Sequence, residues 1–434
     1  MPVTLIKRDN YSNPIKSAIE LCSGFSELKP DHNVLIKPNL VMGADKKMIP
    51  PFGKVTTAST IEHLIQALLD HNCRKITIGE GAIVNPEFGS DTAAAMKFSG
   101  IDRIGKKYGI KLEDFESSAF KKIQINGHVF KIAASALETD FLINVPVLKT
   151  HGQAIVSLGM KNLKGCLKFS SKIRFHKRGH LLDMIAQLNT HIKSDLIVID
   201  GTYAMDRGPT RGTAHPMNLI IAGTDILETE MVGTAVLGKD PKKIPHIQSY
   251  CKLTGRSVDL ESIEIKGESI ESVTVDLPWE GDFNKCFKNF GLSGIQVSSR
   301  TADTSICSGC YGNMEFANYM FCKDNPGLNI DKFEICIGKD SKATPDAKEV
   351  ILFGDCAIKN NQEDRRAIQI PGCPPEVGQY YPLLVKKALP TRRGIPLLLT
   401  RMIKNSAFKM GLYRENFGLW DEYQSPEFDK SHYL

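Results

Sequence analysis

Long apolar runs are missing from this sequence: no uninterrupted stretch is long enough to span a bilayer. The opening residues, MPVTLIKRDNYS, turn polar within a few positions, which argues against a secretory signal. There is no internal repeat and no low-complexity tract, so repeat and disordered architectures are set aside. No GxGxxG spacing and no Walker-type phosphate loop occurs, which removes the common nucleotide fingerprints. A large excess of one charge sign is missing as well. A net charge of +6 over 434 residues, with 8% aromatics and no interleaved basic–aromatic motif, offers no concentrated face for nucleic acid. Cysteine is not scarce. Eleven cysteines, an odd number without an export signal, argue against a disulfide framework and for a cytoplasmic protein.

The chain is long enough for two or three domains, each with its own core. Over residues 1–270, strand-like and helix-like segments alternate. VLIKPNL (34–40), KITIGEG (75–81), DFLINVPVL (140–148), DLIVIDGTYAM (195–205) and NLIIAGTD (218–225) read as strands. STIEHLIQALLDHNC (59–73), LLDMIAQLNTHI (181–192) and ILETEMVGTAVLG (226–238) carry apolar residues at helical spacing. The alternation predicts an α/β fold, a mainly parallel sheet with flanking helices. The pattern weakens from about 240 to 290. A second, smaller α/β domain then spans 291–388, with strands near 294–299, 332–338, 349–354 and 367–371. The basic C-terminal extension, 389–434, either packs across the protein or lies amphipathically on a membrane or partner. Pro390 and Pro396 break a continuous helix and favour the first.

Four cysteines of the second domain end apolar, strand-like runs: Cys307 and Cys310 in ICSGC, Cys356 in FGDCA and Cys373 in PGCPP. Parallel strands converge at one sheet edge, so the pattern gathers four thiols separated by 2, 45 and 16 residues. Helices are expected to open at the Cys307–Cys310 pair and at Cys373, where they favour thiolates. Such a set suits a 4Fe–4S cluster or a structural zinc. The proline after Cys373 matches the last ligand of bacterial ferredoxin runs, and no second CxxC knuckle of a zinc ribbon is present. The expected cofactor is therefore a 4Fe–4S cluster, with zinc as the alternative and unrelated thiols as the bland reading. Cys336 falls mid-strand and reads as core. Cys322 lies about 18 Å along the predicted helix from the pair, a poor ligand position.

Chemistry-bearing side chains of the large domain also sit at strand ends. Lys149, Thr150 and His151 follow a buried strand, and Lys161, Asn162 and Lys164 precede Gly165. Cations, a hydroxyl and an amide there equip an oxyanion site, with a solvated loop as the alternative. His151 is the expected proton donor or acceptor. Lys37 and Asn39 belong to the same edge if their strand is parallel, with Glu80 in GEGA. Asp200 ends a strand, Arg207 and Arg211 lie in the glycine-rich loop 199–216, and Asp225 ends the next strand. The HxxxH of His176 and His180, in a basic run with Arg174, Lys177 and Arg178, is a weak metal pattern.

Together, IKPNL, LINVPVLKTHGQAIVSLGMKNLKG, VIDGTYAMDRGPTRG and IAGTDILETEMVGTAVLG resemble the domain-of-unknown-function 362 family over roughly residues 33–240. The resemblance implies that Lys37, Asn39, Lys149, His151, Lys161, Asn162, Asp200, Gly208, Pro209 and Asp225 occupy recurrent positions. It also implies iron–sulfur association, common among its members. Glu230 departs from the family, which usually has Asp there, and no tandem ferredoxin domain is present. The expectation is a cytoplasmic iron–sulfur enzyme, an oxidoreductase or lyase, in which Lys149, Lys161 and His151 act on a small anionic substrate. Lys37, Asn39, Thr150, Asn162, Asp200, Arg207, Arg211 and Asp225 would bind it. A redox partner such as a ferredoxin is expected, and neither nucleic acid nor a transmembrane segment. An oligomer is open. The alternative is a non-catalytic electron carrier or scaffold subunit with a structural metal.

Overall fold

The computed structural model describes residues 1–43, 49–84, 89–125, 127–178, 181–210, 212–280, 283–298, 306–388 and 423–433. Arg211, Gly179, His180 and most of the 389–434 extension lie outside the described residues. The chain forms two compact units, Met1–Trp279 with Glu415–Leu434, and Glu280–Arg414. Among the described residues no helix is long and apolar enough to cross a membrane.

The strands of the first unit are β1 Val3–Lys7, β2 Val34–Pro38, β3 Ile76–Glu80, β4 Lys111–Asp114, β5 Phe120–Ile125, β6 His128–Ala133, β7 Phe141–Val145, β8 Val147–His151, β9 Ile155–Val156, β10 Leu196–Gly208, β11 Ala214–Gly223 and β12 Ile265–Gly267. The main sheet runs β12-β1-β11-β10-β7-β2-β3-β4, with β8 and β9 attached to β10, and β5–β6 form a separate hairpin. From β10 to β4 all pairs are parallel, whereas β11 runs antiparallel to both β10 and β1. The central strands are buried on both faces, as parallel strands covered by helices must be. Leu35, Leu142, Ile197 and Ile199 point to one core layer, with Met184 and Ile185 of the helix Leu181–Leu188 and Leu227 and Met231 of the helix Ile226–Val236. Ile36, Ile143 and Val198 point to the other, with Ile61, Leu64 and Ile65 of the helix Ala58–Asp70. The two-residue period of the strands assigns these faces.

Two sequence expectations are corrected here. The strand expected over 140–148 breaks at Pro146, which has no N–H for the ladder. β7 stays between β2 and β10, and β8 continues along β10 as far as His151. The expected loop over 199–216 is largely strand, because β10 extends to Gly208 and returns as β11.

The second unit holds a four-stranded, fully parallel sheet in the order β13 (Ser293–Ser298), β14 (Asn329–Ile337), β15 (Glu349–Phe353), β16 (Ala367–Ile370). Cys336 is fully buried in β14.

Residues 423–433 return to the first unit. Phe52 packs against Tyr203 (4.9 Å between ring centroids), Phe428 (5.1 Å) and Tyr423 (5.6 Å). Tyr203 accepts the backbone N–H of Asp429 at 2.8 Å, and Ser59 bonds His432 Nδ1 at 2.9 Å. This aromatic cluster holds the loop that carries Lys54, whose ammonium lies 5.9 Å from the Tyr423 ring centre.

Candidate functional site

The carboxyl ends of β2, β3, β7 and β8 converge, and each delivers polar side chains to one buried network. Lys37, at the end of β2, is fully buried and donates to Glu80 of β3 at 2.6 Å, to Asn162 Oδ1 at 3.3 Å and to the Pro38 carbonyl at 2.9 Å. Glu80 also accepts the N–H groups of Gly81 (2.9 Å) and Leu40 (3.3 Å), so both its oxygens are engaged. Asn162 accepts from Asn39 (3.1 Å) and donates to Asn144 (2.8 Å), whose amide holds the Gly159 carbonyl at 2.9 Å. Lys149 of β8 donates to Asn39 Oδ1 at 2.5 Å and to the Lys54 carbonyl at 3.1 Å. Lys172 reaches the Gly81 carbonyl. A Cβ on Gly165 would overlap the Glu80 carboxylate and the Lys37 ammonium, so glycine lets the KNLKG turn close over that pair.

Positive charge is in excess. Lys37, Lys54, Lys149 and Lys172 are all buried, and Lys161 is partly so. Burial holds Lys149 well below the ordinary lysine range. Lys161, Lys54 and Lys37 push the same way, against the opposing pull of Glu80. Burial lowers Lys161 to about 8, opposed by Glu230. It lowers Lys172 to about 8 as well, with Glu80 opposing and Lys37 adding to the fall. Burial pushes the neighbouring thiol of Cys166 up to about 12, which keeps it protonated.

All of these lysines fall within residues 34–235, the segment that matches the model of the family described as Domain of unknown function (DUF362). Residues 34–235 are a DUF362 domain. The thylakoid-associated protein sll1697 of Synechocystis sp. is 25% identical over 263 residues, covering 58% of this chain and 79% of that protein. The lactate racemase apoprotein from Thermoanaerobacterium thermosaccharolyticum superposes with a TM-score of 0.31 at 16% identity. That match covers 53% of this chain and little more than half, 56%, of the other, and so loose a superposition carries no argument.

Within the DUF362 domain, Lys37, Asn39, Lys149 and Asn162 share one network, and Lys161 adds its charge to Lys149. Thr150 lies beside it but is committed to backbone, donating to the Pro278 carbonyl and accepting from the Arg207 N–H, both at 2.8 Å. His151 Nδ1 accepts the N–H groups of Gln153 (3.0 Å) and Ala154 (3.1 Å). A ring nitrogen that accepts two N–H groups holds no proton, so the proton sits on Nε2. Of the two expected roles, donor or acceptor, this geometry suits donation from Nε2. Asp200 lies inside β10 and is used up structurally, accepting from Thr57 N–H and hydroxyl (2.8 Å each) and from Thr202. Arg207 contacts Asp206 at 3.3 Å.

Asp225 is not brought to the site. β11 is antiparallel, so its carboxyl end lies at the opposite sheet edge. There Asp225 caps the helix Ile226–Val236 and pairs with Arg256 at 2.8 Å. Glu230, from the same helix, is close enough for its charge to act on Lys161. It is fully buried, accepts the Met160 N–H at 2.8 Å and faces His246 at 3.1 Å. Lys54, Lys172 and His246 carry no motif signal, and Asn144 and Glu230, although inside the quoted segments, were not expected at the site. Their side chains arrive from separated segments, and only a strand-end position hints at Asn144.

The four cysteines belong to the second unit, on three loops tied together by backbone. Cys307 caps the helix Ser308–Asp324 and Cys310 lies in its first turn. Cys356 opens the helix Asp355–Asn360. The helix expected to start at Cys373 begins only at Val377, because Pro374 and Pro375 intervene, and Cys373 sits in the loop after β16. The Asp355 N–H reaches the Gly372 carbonyl at 3.2 Å, the Gly372 N–H donates to Asp355 Oδ1 at 2.8 Å, and Asn313 donates to the Pro375 carbonyl at 2.8 Å. A Cβ on Gly309 would stand 3.2 Å from Pro374. The thiols feel one another. A hydrogen bond from Cys310 draws Cys307 down to about 6, and Cys310 is raised by that bond, by burial and by the charges of Cys307, Cys373 and Cys356. Among the described residues no three His, Cys, Asp or Glu side chains close around one metal-ion position. A zinc ion needs four sulfurs about 2.3 Å from one point, whereas an iron–sulfur cluster spreads its cysteines more widely. Four cysteines on three tied loops are a donor set that suits either group.

Proposed function

We propose that the first unit is an enzyme site for a small anionic substrate, and that Cys307, Cys310, Cys356 and Cys373 of the second unit hold a 4Fe–4S cluster. The observation that carries the reading is the excess of buried positive charge around Lys149, opposed there by Glu80. Buried cations without counter-charge are costly, and an arriving carboxylate or phosphate supplies that charge with directed hydrogen bonds. Lysines lowered by burial take up protons as the anion enters, so substrate binding draws protons into the site. Lys149 and Lys161 grip the anion, Lys37 is fixed by Glu80, and the Nε2–H of His151 polarises an oxygen on which charge develops. When bound, the cluster supplies single electrons or an iron that accepts an oxygen ligand. A ferredoxin-like carrier is the matching redox partner. We assign the reaction to the cytoplasm, where cysteines outside any disulfide stay reduced.

The test is anion-induced stabilisation at matched ionic strength, with phosphate and a dicarboxylate as probes. At a concentration 100 times the dissociation constant the gain is about 2.7 kcal/mol. Lys149→Ala and Lys161→Ala are each expected to shrink it. If both variants respond as the parent does, the lysines are not the substrate site.

A further inference from the structure

The β5–β6 hairpin turns Ile125, Phe130 and Ile132 into the core and leaves its other face outward. In register on that outward face lie Lys122 opposite Lys131 and Gln124 opposite Val129, with Phe120 at the edge of the core, opposite buried Ala133. Phe120 is 37% exposed and Val129 43%, both large apolar groups left in water. Like charges directly across two strands destabilise a hairpin, so Lys122 and Lys131 oppose the fold that carries them. Lys168 and Arg174 add to the same neighbourhood, Lys168 over the Phe120 ring and Arg174 bonded to the Val129 carbonyl at 3.2 Å. Among the described residues none of these four cations pairs with a carboxylate, whereas neighbouring Lys121 is paired with Glu138.

We propose that this outward hairpin face docks on an anionic lipid surface, with Phe120 and Val129 entering the headgroup boundary and Lys122, Lys131, Lys168 and Arg174 meeting lipid phosphates. Apolar groups ringed by cations are the composition of an interfacial contact. Nucleic acid fits less well. Lys131 and Lys168 stand 5.1 and 4.6 Å from the centre of the Phe120 ring and occupy the space a stacking base needs.

The test is co-sedimentation of the full chain with phosphatidylglycerol–phosphatidylcholine vesicles and with phosphatidylcholine vesicles alone. Binding is expected only to the anionic vesicles and is expected to weaken with salt. Each cation removed costs about fivefold, so Lys122→Gln with Lys131→Gln should weaken binding roughly 25-fold. The Lys122→Arg, Lys131→Arg pair keeps the charge and should keep binding, which separates charge from folding. Phe120→Ser should weaken binding even at low salt. Unchanged vesicle binding in the double Gln variant would overturn the proposal. So would a single-stranded oligonucleotide that binds while anionic vesicles do not.

Discussion

Replacing Glu80 with Gln removes the carboxylate from the Lys37–Glu80 pair and leaves the cavity filled. The two charges are 2.6 Å apart, with side-chain exposures of 0% and 4%. At an effective dielectric constant of about 20, their attraction is about 6 kcal/mol. The full amount is not lost, because the Pro38 carbonyl at 2.9 Å and Asn162 Oδ1 at 3.3 Å remain as acceptors for the stranded ammonium. The expected loss for Glu80→Gln is therefore about 3–5 kcal/mol, the range for breaking one side of a buried pair. Lys37→Met combined with Glu80→Gln removes both charges and should recover most of the loss. Urea unfolding followed by circular dichroism measures both variants. A loss under about 1 kcal/mol, or a double variant no more stable than Glu80→Gln alone, refutes the assignment of the pair as the electrostatic anchor of the site.

Lys161 and Lys172, both lowered to about 8, give the site opposite responses to pH. Phosphate affinity, read by calorimetry, should fall as pH rises through 8. The stability of anion-free protein should rise between about 8 and 10.5, because the unfolded lysines still hold their protons there. Gly165→Ala should weaken both stability and anion response, since its Cβ meets the Lys37–Glu80 pair, and thermal unfolding with and without phosphate tests it. Anaerobically purified protein should contain about four iron and four sulfide per chain. Serine at Cys307, Cys310, Cys356 or Cys373 should each lower that content, while serine at Cys322 or Cys336 should not abolish it. Stoichiometric zinc in place of iron would reject the cluster.

Much of the scaffold was legible because apolar periodicity reports directly on burial. The strands at 34, 76 and 349 and the helix after Thr57 follow from it. Strand direction was not legible. NLIIAGTD reads alike whether parallel or antiparallel, yet its direction decides that Asp225 leaves the site while Glu230, a turn further along the helix, acts by its charge on Lys161. Lys37, Lys149 and Asn162 were legible because they follow buried strands or sit in a compact motif. Lys54 and Lys172 were not, since an isolated lysine in PFGKV or SSKIR looks solvated until the fold buries it. For the cysteines, spacing singled out four expected ligands, and the paired prolines after Cys373 moved the expected helix start away from it.

The return of residues 423–433 to the Phe52–Tyr203 cluster makes the first unit discontinuous in sequence. Lys149 is held by the carbonyl of Lys54, and the loop carrying Lys54 packs through Phe52 on Tyr423 and Phe428. A fragment cut at Trp279 would keep the main sheet and all of residues 34–235 yet lose the aromatic residues that back the Lys54 loop. The segment that matches the family is therefore not the smallest piece of chain that keeps its own lysine network intact.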